Sequence, residues 1–562
     1  MAARAPGPGR VAIAVVDAPA TLPALLDAAA ARHGAREALV SRRRRVTYAE
    51  LAAESAAIAR GLVARGVGKG TRVGLLLPNW PEWIAAAFGV WRCGGLLVPL
   101  STLARPRELG HALRHADVSL LVAVRGFLRH DYAGALDAVA PGVAAAPAPL
   151  RHAALPALRD VVWIDAPPDG ARVDLAPLLA GGEALPAGWP APLAAAVAPV
   201  DPATVGFTSG TTADPKGVVH SHAALARAAD DVAWVLGLEA DDRTWGYLPF
   251  FFTGGLVAVA LATIARGGAV VLQDAFDPGE TLALLEAERC TVFFAWPHQA
   301  EALLAHPRFP ATRLCLRKGV GANTKWARHL YPPDHRAVGT WGMTETAPLC
   351  TAWPWDAPLA LRAGSHGPPV RGKEIRIVDP ESGVPLAPGR EGEICVRGPT
   401  LFAHYYGRSP AECFDADGFF HTGDLGRVDA AGALTFLGRL KDVVKTAGVN
   451  VAAAEVESVL LAHPAVAGAH VVGVANAARG ENVAAFVVAT APVTVDALLA
   501  HCRAELASYK VPRHLWLVRD DELPQKGSGK VDKAALRAEA ERRAAAVRDG
   551  GDPPRSRPGA PG

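Results

Sequence analysis

The most chemically loaded stretch of the chain is Phe207 to Val218, FTSGTTADPKGV. Within it stand four hydroxyls, on Thr208, Ser209, Thr211 and Thr212, two glycines, Gly210 and Gly217, and one cation, Lys216. Glycines let backbone N–H groups come close to a ligand, and the hydroxyls and the ammonium add donors, the groups a loop needs to wrap a polyphosphate. The spacing is not that of the G-x-x-x-x-G-K-[ST] loop, a string that occurs nowhere in the chain. Any three of these residues make an ordinary surface turn. All of them in this order make a phosphate loop the better reading.

Such a loop needs a frame, and the sequence is long and apolar enough to build one. At 562 residues, 50% hydrophobic and 20% charged, with 16 Phe, 13 Trp and 7 Tyr, it points to two or three domains with large cores. Lys and Arg total 58 against 55 Asp and Glu, and a net charge of +3 provides no field for gripping nucleic acid. The 7 cysteines are scattered with no Cys-x-x-Cys pair. That pattern supports neither a disulfide framework nor a cysteine zinc site, and free thiols in the cytoplasm are expected. The apolar run Val11 to Val16 is cut by Asp17 and reads as a loose leader. The longest apolar stretches, around 83–100 and 254–265, are interrupted by Arg92 or ended by Arg266, so no transmembrane segment is expected.

Residues 47–125 alternate helical periodicity, Tyr48 to Ala64, with apolar runs at Val73 to Leu77 and Leu96 to Leu100, the pattern of βαβ units on a largely parallel sheet. An Ala/Pro-rich stretch from 140 to 203 reads as connection around the strand-like run Val161 to Ile164. A second βα series runs from 204 to about 335, and a Gly/Pro-punctuated β-rich stretch from 363 to 437. After Gly438 a small α+β pattern begins: helix 453–462, strands 469–474 and 482–488, helix 495–506 with Thr494 as N-cap, and strand 514–518. The expected fold is α/β: a large N-terminal domain, 21–438, of βα-type subdomains plus a β-rich subdomain, then a small α+β C-terminal lid domain, 439–545. A disordered leader, 1–20, and tail, 546–562, flank them.

FTSGTTADPKGV resembles the phosphate-loop signature of the adenylate-forming superfamily, which includes acyl-CoA synthetases, aryl-CoA ligases, peptide-synthetase adenylation domains and luciferases. Its other signatures follow in order: LPFFFTGG (248–255), GTWGMTET (339–346), GREGEICVRGP (389–399), HTGDLGRVD (421–429), GRLKDVVKTAGVNV (438–451) and PQKGSGKVDK (524–533). Together they cover residues 20 to 540, and such an ordered series does not arise by chance.

The resemblance implies a role for each match. Thr208 to Thr212 and Lys216 hold the phosphates of ATP, with Thr208 and Glu345 at a Mg²⁺ ion, a hard cation suited to a carboxylate and to retained waters. Trp341 stands where the family usually has Tyr and stacks on adenine, flanked by Gly342, Met343 and Thr344. Gly321, Ala322 and Asn323 line the other face of the base. Asp424 accepts the ribose hydroxyls, and Arg439 contacts ribose or phosphate. Lys530 reaches the carboxylate and α-phosphate, where it stabilises developing charge. Lys441 is the hinge residue, Lys445 lies near the adenylate carboxyl, and Gly448 lines the coenzyme A tunnel. Phe252 and Gly255 belong to the acyl site, and Phe252 replaces a frequent His: an aromatic gate is kept and an imidazole is lost. Ala453 replaces a frequent proline.

The implied reaction is an ATP-dependent acid–thiol ligation: a carboxylic acid becomes acyl-AMP with release of pyrophosphate, and coenzyme A then takes the acyl group. The acyl pocket is expected around 250–256, 294–298 and 319–343, an apolar and aromatic lining that favours a fatty or other hydrophobic acid. No acidic residue stands near LPFFFTGG to pair with an amino-acid ammonium, which demotes the peptide-synthetase reading. Acyl transfer to an acyl-carrier protein, a non-catalytic nucleotide-binding role, a luciferase-like oxidation and a homodimeric assembly stay open.

Overall fold

The computed structural model of the chain describes residues 20–165, 173–208, 215–322, 324–446, 449–476, 479–525 and 530–549, with the side chains of Val449, Asn450 and 546–549 left aside. The fold is α/β, a large N-terminal domain followed by a smaller C-terminal one. Two sheets form the frame of the large domain. One has seven strands and carries the phosphate loop between two of them, Pro202–Phe207 and Gly217–Ser221. Its parallel part comprises Pro202–Phe207, Leu96–Pro99, Arg72–Leu76, Leu120–Ala123 and Asp160–Trp163, joined in chain order by segments that each carry a helix, as parallel strands require. The other has six strands and is mainly parallel, with Arg243–Gly246 and Ala269–Leu272 at its centre.

The helix predicted at 48–64 is present with those bounds, started by a capping box between Thr47 and Glu50. It packs against the helix Pro81–Arg92, which is buried on every face, so the long apolar stretch there is a core helix. Its two charges are paired as burial demands: Glu82 with Arg44 at 2.8 Å, and Arg92 with Asp27 at 2.5 Å. The second apolar stretch forms a π-helical segment, Gly254–Leu261, running on into the helix Ala262–Ala265. π-helical turns concentrate at functional sites, and this one follows LPFFFTGG.

The β-rich subdomain is a four-stranded antiparallel sheet, Glu374–Val378, Gly392–Arg397, Phe420–Val428 and Leu434–Arg439 in spatial order. The small domain folds as a five-stranded sheet centred on Gly480–Ala489. Its helices Ala453–Ala462 and Val495–Glu505 lie where the periodicity placed them, and Thr494 Oγ1 accepts the N–H of Ala497. One element departs from expectation: the helix Lys533–Asp549 runs into the stretch read as a tail. Leu536, Ala540 and Ala544 repeat every four residues and bury against Val472, Val474 and Phe486, which the polar composition had masked. Apart from Ala20 and those helical residues, the expected leader and tail lie outside the described residues.

Candidate active site

The two strands flanking the phosphate loop pair antiparallel, Gly217 opposite Phe207, and the Thr208 N–H donates to the Lys216 carbonyl at 3.1 Å, closing the loop at its base. Thr208 is half-buried and Lys216 exposed, one at each foot; Ser209, Gly210, Thr211 and Thr212 lie outside the described residues. On its other side Gly217–Ser221 pairs with the short strand His404–Tyr405, Val218 opposite Tyr405. That register brings the Tyr405 ring 4.8 Å from Lys216 Nζ, a cation–π distance. The Tyr405 hydroxyl donates to Glu345 Oε1 at 2.9 Å. Burial and the neighbouring Glu345 raise the phenol's pKa, so it remains a donor. Glu345 itself is buried in the single turn Thr344–Thr346. His220 ties that turn to the phosphate hairpin: burial holds its pKa at about 4, and the neutral ring donates through Nε2 to the Thr344 carbonyl at 2.8 Å.

Asp424 and Arg439 face each other across two antiparallel strands. Trp341 Nε1 donates to Asp424 Oδ2 at 3.1 Å, and Arg439 Nη1 lies 2.8 Å from Oδ1. The second contact is an ion pair without hydrogen-bond alignment, so the buried Oδ1 has no hydrogen-bond donor. Burial pushes the Asp424 pKa up to about 6, with Arg439 and Trp341 opposing it and Glu345 and Glu393 adding to it. An orphaned, buried carboxylate oxygen beside an indole is a ready acceptor for a hydroxyl pair. Gly321 sits in the left-handed region at φ +92°, and a side chain there would meet the Trp326 ring. Ala322 next to it is buried, Met343 and Thr344 are half-buried beside Trp341, and Asn323 lies outside the described residues.

A cavity of about 430 Å³ joins these groups to an apolar region. Its lining combines two groups of residues: Trp341, Gly342, Asp424 and Arg439, the nucleotide end of the sequence reading, and the apolar Val232, Val235, Leu236, Ala258, Phe294 and Leu349. Of the two glycines in LPFFFTGG, Gly254 borders the cavity and has open space where a Cβ would stand. Gly255 is buried, and a Cβ there would come within 2.2 Å of the Pro249 carbonyl. It acts on the fold of this turn, not on the cavity wall. Phe252 is outside that lining too; its ring lies 4.5 Å from Phe251 and 6.0 Å from Trp296, an aromatic cluster beside the cavity.

Lys530, Lys441 and Lys445 belong to the small domain and do not line the cavity. Lys530 is exposed, Lys441 lies in the turn Leu440–Asp442 directly after Arg439, and Lys445 is exposed on the strand Val443–Thr446. Gly448 lies outside the described residues. Sequence reasoning missed three residues that hold the site together. Tyr405 and His220 are placed by strand register, which no local pattern reveals. Asn79, buried, donates to the carbonyls of Gly246 and Leu248 and accepts the Phe250 N–H at 3.1 Å, bracing the start of LPFFFTGG. Its only local signal is an asparagine in an apolar run.

Known proteins resemble this chain in sequence and fold. The family model of AMP-binding enzymes matches residues 26–406, and that of the AMP-binding enzyme C-terminal domain matches residues 455–530. A feruloyl-CoA synthase from an Amycolatopsis species is 34% identical over 91% of this chain and 95% of its own length. A 3-[(3aS,4S,7aS)-7a-methyl-1,5-dioxo-octahydro-1H-inden-4-yl]propanoyl:CoA ligase from Mycobacterium tuberculosis is 35% identical over 92% of this chain and 98% of its own. Among solved structures, ATP-bound MatB from Rhodopseudomonas palustris superposes with a TM-score of 0.74 at 29% identity, covering 92% of this chain and 98% of that one.

Proposed function

The chain belongs to the AMP-binding enzyme family, and from that premise we propose that its acyl substrate is a compact hydrophobic carboxylic acid bearing a ring. The reaction is that of an AMP-forming acid–thiol ligase. A carboxylate oxygen attacks the α-phosphorus of ATP and pyrophosphate leaves; the sulfur of coenzyme A then attacks the acyl carbon and AMP leaves. Direct thiol attack on the free acid would have to expel hydroxide or oxide, a far poorer leaving group than AMP.

One observation carries the choice of acid: the cavity lined by Asp424 and Trp341 is otherwise walled mainly by apolar side chains, and its volume of about 430 Å³ must also take part of the nucleotide. That leaves room for a ring system and not for a long extended chain. The feruloyl and indenyl-propanoyl groups of the two relatives agree in kind. Thr340 and His366 are the polar residues of the lining beyond the nucleotide end; His366 Nδ1 accepts the Phe436 N–H, and burial lowers its pKa against the opposing Leu434 carbonyl, so a neutral imidazole stands beside the acid.

In this reading the orphaned Asp424 Oδ1 takes a ribose hydroxyl, Trp341 lies against the base, and Thr208 and Lys216 hold phosphate. Glu345 is a single buried carboxylate tied to a hydroxyl, an oxygen donor set that fits Mg²⁺, which takes few protein ligands beside phosphates and water. Bound there with Thr208, the ion would offset the phosphates' charge. Lys530 travels on the small domain to the reacting carboxylate. No helix among the described residues is long and apolar enough to cross a membrane, and all seven cysteines are free, which supports work in the cytoplasm.

The test is pyrophosphate release and thioester formation with Mg·ATP, with and without coenzyme A, across cinnamic, arylpropanoic, medium-chain and long-chain acids. Highest kcat/KM with a ring-bearing acid is expected. Preference for the long-chain acids would overturn the choice of substrate and leave the reaction class intact.

A further inference from the structure

Cys395 and His421 stand directly opposite each other on the antiparallel strands Gly392–Arg397 and Phe420–Val428. Glu393, two residues before Cys395, shares its face of the sheet. Cys395 Sγ is 3.4 Å from His421 Nδ1, and Glu393 Oε2 is 2.8 Å from the same nitrogen. The three donor atoms all lie within 4.8 Å of one another. A ring nitrogen carries one proton or one lone pair, so Nδ1 bonds well to only one of these neighbours. A cation between them bonds to all three.

We propose that Glu393, Cys395 and His421 form a binding site for one borderline divalent transition cation of the zinc class. A tetrahedral zinc centre, with bonds of about 2.3 Å to sulfur and about 2.0 Å to nitrogen, holds those two atoms roughly 3.5 Å apart, close to the spacing already present. Thiolate, imidazole and carboxylate together favour zinc or cobalt over magnesium or calcium. The site has a floor and a mouth: Cys395 is buried, while the His421 side chain is 42% exposed, which leaves an entry path and a fourth position for water.

The surroundings match a metal-binding histidine. Asp415 Oδ2 lies 3.5 Å from His421 Nε2, on the far side of the ring, where a carboxylate orients such a ligand. Asp415 is itself held by Arg376 at 2.6 Å and by the Phe419 N–H at 2.8 Å. On binding, the Cys395 Sγ–H proton leaves to solvent as the metal–sulfur bond forms. The other Glu393 oxygen accepts the Gly423 N–H at 2.9 Å, so the site is one residue from Asp424. An occupied site would fix the turn that presents the nucleotide carboxylate. Spacing along the chain could not reveal it, because its ligands meet only across the sheet.

The experiment titrates full-length protein, stripped by dialysis against a chelator, with Co²⁺ and follows the near-ultraviolet thiolate-to-cobalt charge-transfer band. Saturation at one Co²⁺ per chain, bleaching by Zn²⁺, loss of the band in Cys395→Ser and roughly tenfold weaker binding in His421→Gln are expected, with thermal unfolding confirming that both variants fold. No band in the wild-type chain, a band that survives Cys395→Ser, or binding unchanged in His421→Gln would each overturn the three-ligand site.

Discussion

The two ends of the cavity are built by opposite rules. At the nucleotide end the key polar groups are tied to one another before any ligand arrives: Trp341 to Asp424, Asp424 to Arg439, Tyr405 to Glu345. At the acyl end the walls are apolar side chains from distant segments, with an open space beside Gly254. Polar preorganisation fixes which reaction is run, because charge develops at the same atoms whatever the acid. An apolar wall discriminates weakly and by volume. Variants at the two ends should therefore separate, with large effects on every acid from one and acid-dependent effects from the other.

The largest expected effect is at Lys530. Lys530→Ala should lower acyl-AMP formation by on the order of 10²-fold or more with every acid tested, while transfer from supplied acyl-AMP to coenzyme A is largely kept. Separate assays of the half-reactions read this. An equal loss in both would mean that Lys530 supports the fold of the small domain instead.

Asp424 comes next. If Asp424 accepts the ribose hydroxyls as proposed, Asp424→Ala should weaken nucleotide binding by about 10²-fold, from roughly 1.5–3 kcal/mol per lost bond. Its pKa of about 6 sets the pH dependence: the carboxylate is ionised above that value and protonated below it. Nucleotide affinity should fall as the pH drops through 6, and Asp424→Asn should remove that component, as calorimetry on both proteins would reveal. Stability of the nucleotide-free chain runs the other way. A carboxyl whose folded pKa is raised favours folding below the unfolded value of 3.8, and that contribution is lost as the pH rises through 6, on the order of 3 kcal/mol. Asp424→Asn should therefore be at least as stable as wild type at pH 8.

Gly254→Leu tests the apolar end. The open space should accept the side chain without strain, so the variant should lose roughly 10- to 100-fold in kcat/KM for the bulkiest acids, keep the smallest ones and leave the KM for ATP unchanged. Gly255→Ala, one residue on, should instead impair folding, because its Cβ meets backbone. Equal losses for all acids in Gly254→Leu would erase the contrast between the two ends.

The same contrast explains what the sequence made legible. Hydroxyl, carboxylate and lysine positions such as Thr208, Glu345 and Asp424 stand in local strings whose chemistry can be read before any fold is known. The helices at 48–64 and 453–462 were equally plain, since their apolar periodicity is local. Tyr405, His220 and Asn79 were not, because each acts through a partner more than 50 residues away, at Glu345, Thr344 and Leu248. The cavity wall was legible only in part: Gly254 and Gly255 are identical in sequence and differ in what surrounds them.

The smallest effect expected is also the sharpest probe of preorganisation. Tyr405→Phe keeps the ring beneath Lys216 and deletes only the hydroxyl that holds Glu345 Oε1. A hydrogen bond to a charged group of this kind contributes about 1.5 kcal/mol, so adenylation should slow by roughly tenfold. Tyr405→Leu removes the ring as well and should lose a further ~0.5–1 kcal/mol through the cation–π contact. If Tyr405 serves the phosphate site as this geometry requires, both losses appear in pyrophosphate release, are alike for every acid, and shrink when Mg²⁺ is raised. Losses that vary from acid to acid would show that the polar end also reads the acyl group, and the division between the two ends would fail.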